Sequence, residues 1–334
     1  MTHWSVPENT SWMIYGANGY TGELIAREAV SRGHHPILAG RSREAVETLA
    51  DELECDRRVF PLDAHAATFL DGVAAVIHCA GPFSATSDPM VRACLGSGTH
   101  YLDITGEIAV FESIFRLQEE AQSAGVALIP GVGFDVVPTD CLAAMLSQAL
   151  RSATELALAF YPRGGGISRG TLRTMIEGLP HGGAIRRDGR IVSVPVAFDS
   201  RTIPFSCGER SAMTIPWGDV ATAYRTTGIR NIRVYSAASR SMIRRLRWFA
   251  PVMQVLRFKP LMKLAQTVAA RRTGPDQSSR DQGRSYLWGE VRHDSGSSVS
   301  LTMETPEGYQ LTAMSAVRAL EHVLQSRVSA GTWT

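Results

Sequence analysis

Three glycines at the spacing GxxGxxG, Gly16, Gly19 and Gly22, separate a short apolar run from a helical pattern near the start of the chain. Residues 12–15 (WMIY) have the composition of a buried strand, and apolar residues recur at helical spacing from the last glycine to Gly33, a residue type that often ends a helix. This pattern predicts a tight turn between a strand and a helix. In such turns the first glycine allows the chain to turn, the second lets the backbone approach a pyrophosphate, and the third lets helix and strand pack closely.

The helix after this turn would present backbone N–H groups and a partial positive charge to a phosphate. We therefore predict that the turn binds the pyrophosphate of a dinucleotide; a tight turn without a ligand is the alternative. The residues expected to contact the cofactor there are Gly16, Asn18, Gly19, Tyr20, Thr21 and Gly22.

The end of the second predicted strand, residues 36–39, bears on which dinucleotide is bound. NAD-binding chains carry an acidic residue there for the ribose 2′-hydroxyl, whereas this chain has Arg41 and Ser42. An arginine pairs well with a 2′-phosphate, so we expect NADPH rather than NADH. The alternative is that Arg41 is a solvated residue at the start of a helix. A third strand is predicted over residues 58–62, and Asp63 after it is expected near the adenine.

A fourth strand is predicted over residues 74–79. Because ligands of open parallel sheets lie at the carboxyl ends of the strands, the backbone after this strand should run beside the nicotinamide. The residues of that segment are Cys79, Ala80, Gly81, Pro82 and Phe83. We expect the next helix to begin with Ser87 or Asp88 as its N-cap and with Pro89 in its first position.

The alternation of strands and helices continues through a fifth strand near residue 100, one helix over residues 108–125 and a sixth strand. It predicts an α/β fold with a doubly wound Rossmann domain over residues 1–140. From there the pattern changes to short strands with few helices, which predicts an inserted α+β domain for substrate or oligomerisation over residues 141–310. A last amphipathic helix over residues 311–327 is expected to return to the first domain.

The composition of the chain narrows the possible functions less than its motifs do. The chain has 334 residues, 44% hydrophobic and 20% charged, with no apolar run long enough to span a membrane and no evident secretory signal. Five scattered cysteines form no Cys/His cluster, so we expect reduced thiols, no metal site and a cytoplasmic protein.

The charge is distributed unevenly. Residues 220–275 contain twelve Arg or Lys and no Asp or Glu, although the formal charge of the whole chain is only +2. Within this stretch, residues 240–273 are expected to form two helices broken near Pro251 and Pro260. Their mixture of arginines with large apolar residues suits a membrane surface, an acidic carrier protein, or a structural contact such as that of a homodimer. Nucleic acid is not expected as a partner, because the rest of the chain is acidic and has no recognition motif.

Several strings together resemble the saccharopine-dehydrogenase-like NADP-binding oxidoreductases, in the branch that includes mycobacterial trans-acting enoyl reductases. They occur in order between residues 16 and 316: GANGYTG, AGRS, CAGPF, HYLDITGE, GVGFDVVPTD, GTLRTMIEGL, GRSYLWGE and TPEGYQLTAMSA. The resemblance implies an NADP-binding Rossmann domain, an α+β second domain and hydride transfer as the class of chemistry. It does not imply saccharopine as the substrate.

Candidate catalytic residues are polar side chains at the carboxyl ends of strands. Asp103, Thr105 and Glu107 follow the fifth strand, and Asp135 follows the sixth. We select Glu107 and Asp135 as the catalytic candidates; the alternative is that these carboxylates cap helices or hold loops. Candidates for substrate contact in the second domain are Arg169, Thr171, Arg173 and His181. Tyr286 and Tyr309 could donate to an oxyanion, although core packing is the better interpretation.

Three functions follow from these observations. The first is an NADPH-dependent reductase of an enoyl C=C bond in a hydrophobic substrate, either free or bound to a carrier or lipid. The second is an imine-reducing or opine-type dehydrogenase, which requires arginines that bind the carboxylates of an amino-acid substrate. The third is a non-catalytic NADP-binding sensor or membrane-associated adaptor.

Overall fold

The structure, a computed structural model, describes residues 10–178, 180, 182–253 and 274–334. The chain divides into two compact units, one ending at Phe134 and resuming over Tyr309–Thr334, the other formed by Asp135–Gly308. His181 and residues 254–273 of the basic segment lie outside the described residues.

The first unit contains a parallel sheet. Its described strands are β1 (Trp12–Tyr15), β2 (Ile37–Gly40), β3 (Arg57–Val59), β4 (Ala75–His78), β5 (His100–Asp103), β6 (Ala127–Ile129) and, near the end of the chain, β15 (Gly331–Thr332). They are arranged in the order β15-β6-β5-β4-β1-β2-β3, and every pairing is parallel. The chain moves from β1 to one side of the sheet and returns to β4 on the other, so the strand order reverses between β1 and β4.

Helices cover both faces of this sheet. They are α1 (Tyr20–Ser31), α2 (Arg43–Leu53), α3 (Phe83–Ser97), α4 (Ile108–Phe115), α5 (Gln118–Ser123) and α11 (Gly308–Leu324), with a 3₁₀ turn over Ala66–Leu70. Alternate strand residues enter two cores: Ile14 and Ile77 pack with α1 and α11, whereas Met13 and Val76 pack with α3. The doubly wound fold and the returning C-terminal helix predicted from the sequence are confirmed.

Two predicted helix boundaries in this unit are wrong. Helix α3 begins at Phe83, and Pro89 lies inside it rather than at its start. The reason is a distant cap: the Glu107 carboxylate accepts the N–H groups of Phe83 and Ser84, so the helix begins before the local signal at Ser87. The predicted helix over residues 108–125 is divided into α4 and α5, because Leu117 N–H bonds to Ile114 in a tighter turn.

The second unit is built on an eight-stranded sheet within the described residues. The strands are β7 (Glu155–Arg163), β8 (Gly183–Arg187), β9 (Arg190–Val194), β10 (Ser200–Phe205), β11 (Gly208–Thr214), β12 (Asn231–Ala237), β13 (Arg284–Arg292) and β14 (Ser298–Pro306). The main order is β10-β11-β12-β7-β13-β14, with β8 paired to β12 and β9 to β8. Only β12 and β7 pair in parallel; the other described pairings are antiparallel.

The described helices of this unit are α6 (Val137–Ala149), α7 (Arg169–Gly178), α8 (Asp219–Thr227), α9 (Arg240–Met253) and α10 (Gln277–Gln282). Helix α9 includes Pro251 and continues to Met253. The expected breaks near Pro251 and Pro260 stay predictions, because residues 254–273 lie outside the described residues. The polar stretch over residues 274–284 contains α10, and the Asp276 side chain caps this helix by accepting the Ser279 N–H at 2.8 Å. No helix among the described residues is long and apolar enough to cross a membrane.

Candidate dinucleotide-binding site

The turn after β1 lies against the segment after β4. Gly16 has φ +82°, and its N–H donates to Ala39 O at 2.7 Å. A Cβ at Gly16 would lie 2.8 Å from Ala80 N, which is too close for any side chain. The glycine spacing therefore brings the first strand–helix turn and the predicted nicotinamide segment together, at the point where the strand order reverses.

The third glycine lets α1 begin close to the turn. A Cβ at Gly22 would lie 2.2 Å from Gly16 O, so only glycine fits there. Gly19 is the N-cap of α1 and has no side chain to accept the N–H groups of the first helical turn, which includes Tyr20 and Thr21. The N-terminus of this twelve-residue helix thus has no side-chain cap, which suits the binding of a pyrophosphate.

The side chains after β2 are available to a ligand. Arg41 and Ser42 are exposed, and neither side chain makes a hydrogen bond or ion pair with another described residue. Gly40 lies beside Asn18: a Cβ at Gly40 would be 2.9 Å from Asn18 Oδ1. A cation and a hydroxyl that no described side chain binds, next to the glycine turn, suit the 2′-phosphate of NADPH.

Asp63 has a local role in the structure. Its carboxylate accepts the His65 N–H at 2.8 Å, which fixes the turn after β3. It is also near enough to the buried Tyr15 to help raise the phenol pKa to about 12, although burial is the main cause. Contact between Asp63 and the adenine stays a prediction.

The segment Ala80–Phe83 is held by a buried histidine at the end of β4. Thr86 Oγ1 donates its single proton to Ala80 O at 2.6 Å or Pro82 O at 3.0 Å, and it lies 3.1 Å from His78 Nε2. Because that proton is used, His78 Nε2 must be the donor to Thr86. His78 Nδ1 is then the unprotonated nitrogen, and it has no hydrogen-bond partner among the described residues.

Aromatic rings surround His78 and keep it neutral. The rings of Tyr15, Phe83 and Tyr101 lie 5.7, 5.5 and 6.1 Å from it, and its side chain is fully buried. Burial lowers the pKa of His78 to about 3, so it does not carry a charge near neutral pH. His78 and Thr86 were not predicted from the sequence as functional residues; a histidine inside an otherwise apolar strand was the available signal.

The remaining residues of the segment are mostly apolar. Cys79 N–H donates to Tyr15 O at 2.7 Å, and burial raises the pKa of its thiol, so the sulfur is not a nucleophilic thiolate. Gly81 and Pro82 are joined by a cis peptide bond, and Phe83 packs edge-on against His78. Glu107 reaches this segment, and its oxygens accept the N–H groups of Phe83 at 3.0 Å and Ser84 at 2.9 Å.

Asp103 links neighbouring strand ends. Oδ1 accepts the N–H groups of Thr105 at 2.9 Å and Gly131 at 2.8 Å, while Oδ2 accepts the Tyr101 hydroxyl at 2.7 Å. Burial raises the pKa of Asp103 to about 6, and these three hydrogen bonds oppose that rise. Asp103 therefore organises the loop that carries Thr105 and Glu107.

The other candidates belong to the second unit. Asp135 is its first residue, partly buried, and burial raises its pKa to about 7. At the start of α7, Ser168 Oγ accepts the Thr171 N–H at 3.2 Å, and Arg173 lies 3.7 Å from Glu177. Arg169 is exposed and makes no hydrogen bond or ion pair with the described residues. Tyr286 is buried in the sheet, and Tyr309, in the first unit, packs against Tyr20.

A cleft of about 120 Å³ in the second unit is rich in arginine. Arg201 and Arg292 both bind Glu290, at 3.2 and 2.8 Å. Arg233 lies 3.7 Å from Asp199, whereas Arg187 makes no hydrogen bond or ion pair with the described residues. Among the described residues, no cluster of His, Cys, Asp or Glu could hold a metal ion.

The glycine turn at the reversal of strand order, with a cation beside it, defines a Rossmann-type dinucleotide-binding domain. Residues 12–129 match the family model described as the saccharopine dehydrogenase NADP binding domain. This match shows an NADP-binding domain of an oxidoreductase in the chain, and the cofactor predicted from the sequence is confirmed as NAD(P)H.

Relatives extend the likeness beyond this domain. A trans-acting enoyl reductase of Mycobacterium leprae is 34% identical over 138 residues, which are 38% of this chain and 33% of that protein. A saccharopine dehydrogenase-like oxidoreductase of Bos taurus is 28% identical over 250 residues, 64% of this chain and 58% of that protein. The chain thus spans about half the length of the curated relatives it matches.

The fold has a counterpart among solved structures. Saccharopine dehydrogenase (L-Glu forming) from Saccharomyces cerevisiae superposes with a TM-score of 0.64 over 97% of this chain and 93% of that one. The two are 10% identical in sequence, so the likeness concerns the fold alone.

Proposed function

We propose that this chain is an NADPH-dependent reductase of the C=C bond of a hydrophobic acyl substrate. The family of its first domain supports NADP-dependent oxidoreduction. The name of the mycobacterial relative, trans-acting enoyl reductase, supports an enoyl group as the acceptor.

The observation that carries the proposal is the apolar character of the segment after β4. Ala80, Pro82 and Phe83 present little polarity where the nicotinamide of a Rossmann domain lies. The carboxylate beside them, Glu107, is bound to two backbone N–H groups. An acyl chain suits such a surface, whereas a zwitterionic amino acid would need countercharges there.

Different residues of the first unit would bind different parts of the cofactor. The turn Gly16–Gly22 would hold the pyrophosphate, and Arg41 with Ser42 would hold the 2′-phosphate. Residues 79–83 would flank the nicotinamide, in a backbone position set by His78 through Thr86 and by Glu107. When bound, NADPH supplies a hydride to one alkene carbon.

Reduction also requires a proton for the second alkene carbon. Asp135 is our candidate for the donor, because a carboxyl group with a pKa of about 7 is half protonated at neutral pH. The carboxylate that remains would be protonated again from solvent. We assign Glu107 to positioning, since its oxygens hold the N-terminus of α3.

The first test separates cofactor binding from chemistry. Purified protein is titrated with NADPH and NADH by nicotinamide fluorescence, and NADPH oxidation is then followed with long-chain trans-2-enoyl thioesters. We expect preferential NADPH binding and turnover of the enoyl thioester. NADPH binding with no turnover of any acceptor would favour the non-catalytic sensor or adaptor, and absence of binding would refute the oxidoreductase.

The proton donor is tested with Asp135→Asn. The variant should bind NADPH as the wild type does and reduce the enoyl substrate about 100-fold more slowly. In the wild type the rate should fall as the pH rises above about 7, because the protonated form of Asp135 is lost. An unchanged rate and pH profile in the variant would assign the proton to another group.

The arginine-lined cleft favours a second candidate, the reduction of an imine formed with an amino-acid substrate. The Arg187 side chain makes no hydrogen bond or ion pair with the described residues, and the Arg233 guanidinium lies 3.7 Å from Asp199. Both side chains could therefore bind a carboxylate of the substrate. In that case Arg187→Ala should raise KM for a keto acid with an amine and leave NADPH binding unchanged. Arg190→Ala, an exposed arginine outside the cleft lining, is the control.

A further inference from the structure

Helix α9 is fixed on the second unit by its inner face. Ile243 is 5% exposed and packs with Met213 and Ala197, and Leu246 packs against the same group. Arg247 extends this contact: Nε donates to Ala197 O at 2.8 Å and Nη2 to Ser200 Oγ at 3.0 Å. The orientation of the helix is therefore set, and so is the face it leaves to solvent.

The outer face of α9 carries large apolar side chains in water. Trp248 is 82% exposed, Phe249 53% and Met242 50%, and the rings of Trp248 and Phe249 lie 5.9 Å apart. Single exposed apolar residues are common on protein surfaces. Three on the same side of one helix mark an interaction surface.

Cations are interleaved with these side chains. Arg244 and Arg245 are exposed and make no hydrogen bond or ion pair with the described residues. They lie in a stretch, residues 220–275, with twelve basic and no acidic residues. We define the α9 outer face as Met242, Arg244, Arg245, Trp248 and Phe249; its partner must be anionic and must also accept aromatic rings.

We propose that the α9 outer face binds an anionic lipid surface. Trp248 and Phe249 would enter the headgroup region, and Arg244 with Arg245 would contact lipid phosphates, as in helices that lie in the plane of a membrane. The proposal does not depend on the proposed reductase activity.

Charge and exposure argue against the two other occupants. A second copy placed face to face would bring the same arginines together, and like charges across an interface oppose association. An acidic carrier protein would complement the arginines, but its charged surface offers no apolar layer to Trp248. A lipid surface with anionic headgroups supplies both the negative charge for the arginines and the apolar layer for Trp248.

The test is vesicle co-sedimentation of the full chain. One set of vesicles contains equal parts phosphatidylcholine and phosphatidylserine, and the other contains phosphatidylcholine alone. We expect binding to the anionic vesicles that weakens with added salt, and little binding to the neutral ones. Equal binding to both sets, or binding to neither, would overturn the proposal.

Two double variants separate the contributions of charge and aromatic rings. Arg244→Gln with Arg245→Gln should weaken binding about 25-fold, since each basic residue near an anionic surface contributes about fivefold. Trp248→Ser with Phe249→Ser should reduce binding by a similar factor. Both should keep the wild-type circular dichroism and NADPH affinity, because the replaced side chains are exposed.

The control replaces exposed residues elsewhere in the same unit, Arg151→Gln with Met145→Ser, and should bind vesicles as the wild type does. Size-exclusion chromatography of the protein without lipid tests whether a second copy covers the α9 outer face instead. If the wild type is a dimer that Trp248→Ser with Phe249→Ser converts to a monomer, a second copy occupies this face and the lipid proposal is wrong.

Discussion

Two buried carboxyl groups, one in each unit, differ in the hydrogen bonds that they accept. Asp103, at the end of β5, accepts three hydrogen bonds, two from backbone N–H groups and one from Tyr101. Asp219, at the start of α8 where it packs on α6, is equally buried, yet neither oxygen has a hydrogen-bond partner of good geometry among the described residues.

The neighbours of Asp219 repeat this pattern. Thr222 Oγ1 and Trp217 Nε1 are also buried without a partner among the described residues. Burial raises the pKa of Asp219 well above its usual value, with Asp140 adding to the rise and the nearby Thr139 hydroxyl opposing it. Burial therefore favours the protonated form of Asp219, and its surroundings do little to offset the cost of burying the carboxyl group.

The difference shows that the first unit fixes its strand ends with its own carboxylates. Asp103 and Glu107 use their oxygens to fix strand ends and the N-terminus of α3. The α6–α8 contact has polar groups that an ordered water or a ligand group could satisfy. Four substitutions test this contrast.

Asp103→Ala should have the largest effect on folding. It leaves the N–H groups of Thr105 and Gly131 buried without acceptors, so the free energy of unfolding should fall by about 4 kcal/mol. Urea denaturation measures the change. A loss below about 1 kcal/mol would mean that water replaces the carboxylate and that the first unit is less rigid than its hydrogen bonds indicate.

Gly22→Ala should nearly abolish cofactor binding. The added Cβ would lie 2.2 Å from Gly16 O, which forces α1 away from the turn, and we expect NADPH affinity to fall roughly 100-fold. Gly96→Ala is the matched control, because Gly96 also lies in a helix but a Cβ there meets no atom within 4 Å. Wild-type affinity in Gly22→Ala would disprove the assignment of the turn to the pyrophosphate.

Asp219→Asn should stabilise the protein, by about 1–2 kcal/mol in mildly alkaline buffer. The folded pKa of Asp219 is raised, so the wild type is most stable below the unfolded pKa, about 4, and loses stability as the pH rises toward the folded pKa. Asparagine does not ionise and should remove that loss. Urea midpoints measured across pH test the prediction, with the exposed Asp281→Asn as control; a destabilised Asp219→Asn would reveal a partner for the carboxylate.

Arg41→Ala should have the smallest effect, about a tenfold loss of NADPH affinity with NADH affinity unchanged. The neighbouring Arg43→Ala is the control, because Arg43 already binds Glu47 at 3.1 Å. Fluorescence titration with both nucleotides distinguishes a specific 2′-phosphate contact from a general effect of charge, which would weaken both nucleotides in both variants.

Local spacing was enough to predict the cofactor domain. The glycine turn, the helix that ends near Gly33 and the arginine after β2 depend on neighbours within a few residues. The match of residues 12–129 to an NADP-binding domain confirms the cofactor class that they predict. The individual contacts of these residues with NADPH stay predictions, as do the catalytic role of Asp135 and the positioning role that we propose for Glu107.

Contacts between distant residues explain the wrong start predicted for α3 and the strand that was not predicted. Ser87, Asp88 and Pro89 form a good local start signal for a helix, but a carboxylate more than twenty residues away begins α3 earlier. Strand β15 has two residues and exists because Gly331 and Thr332 pair with β6 and Gln118. A segment so short has no periodicity by which it could be predicted.

The sequence by itself determined the doubly wound domain, its dinucleotide turn and the basic segment, because turn geometry, helical spacing and charge are local properties of the chain. Only the tertiary structure decided that Glu107 caps a helix and that His78 fixes the segment after β4 through Thr86. It also decided that the Asp219 carboxyl group is buried with no hydrogen-bond partner of good geometry among the described residues. Hydrogen-bond partners and burial depend on which distant residues the fold brings together, and no spacing along the chain records that.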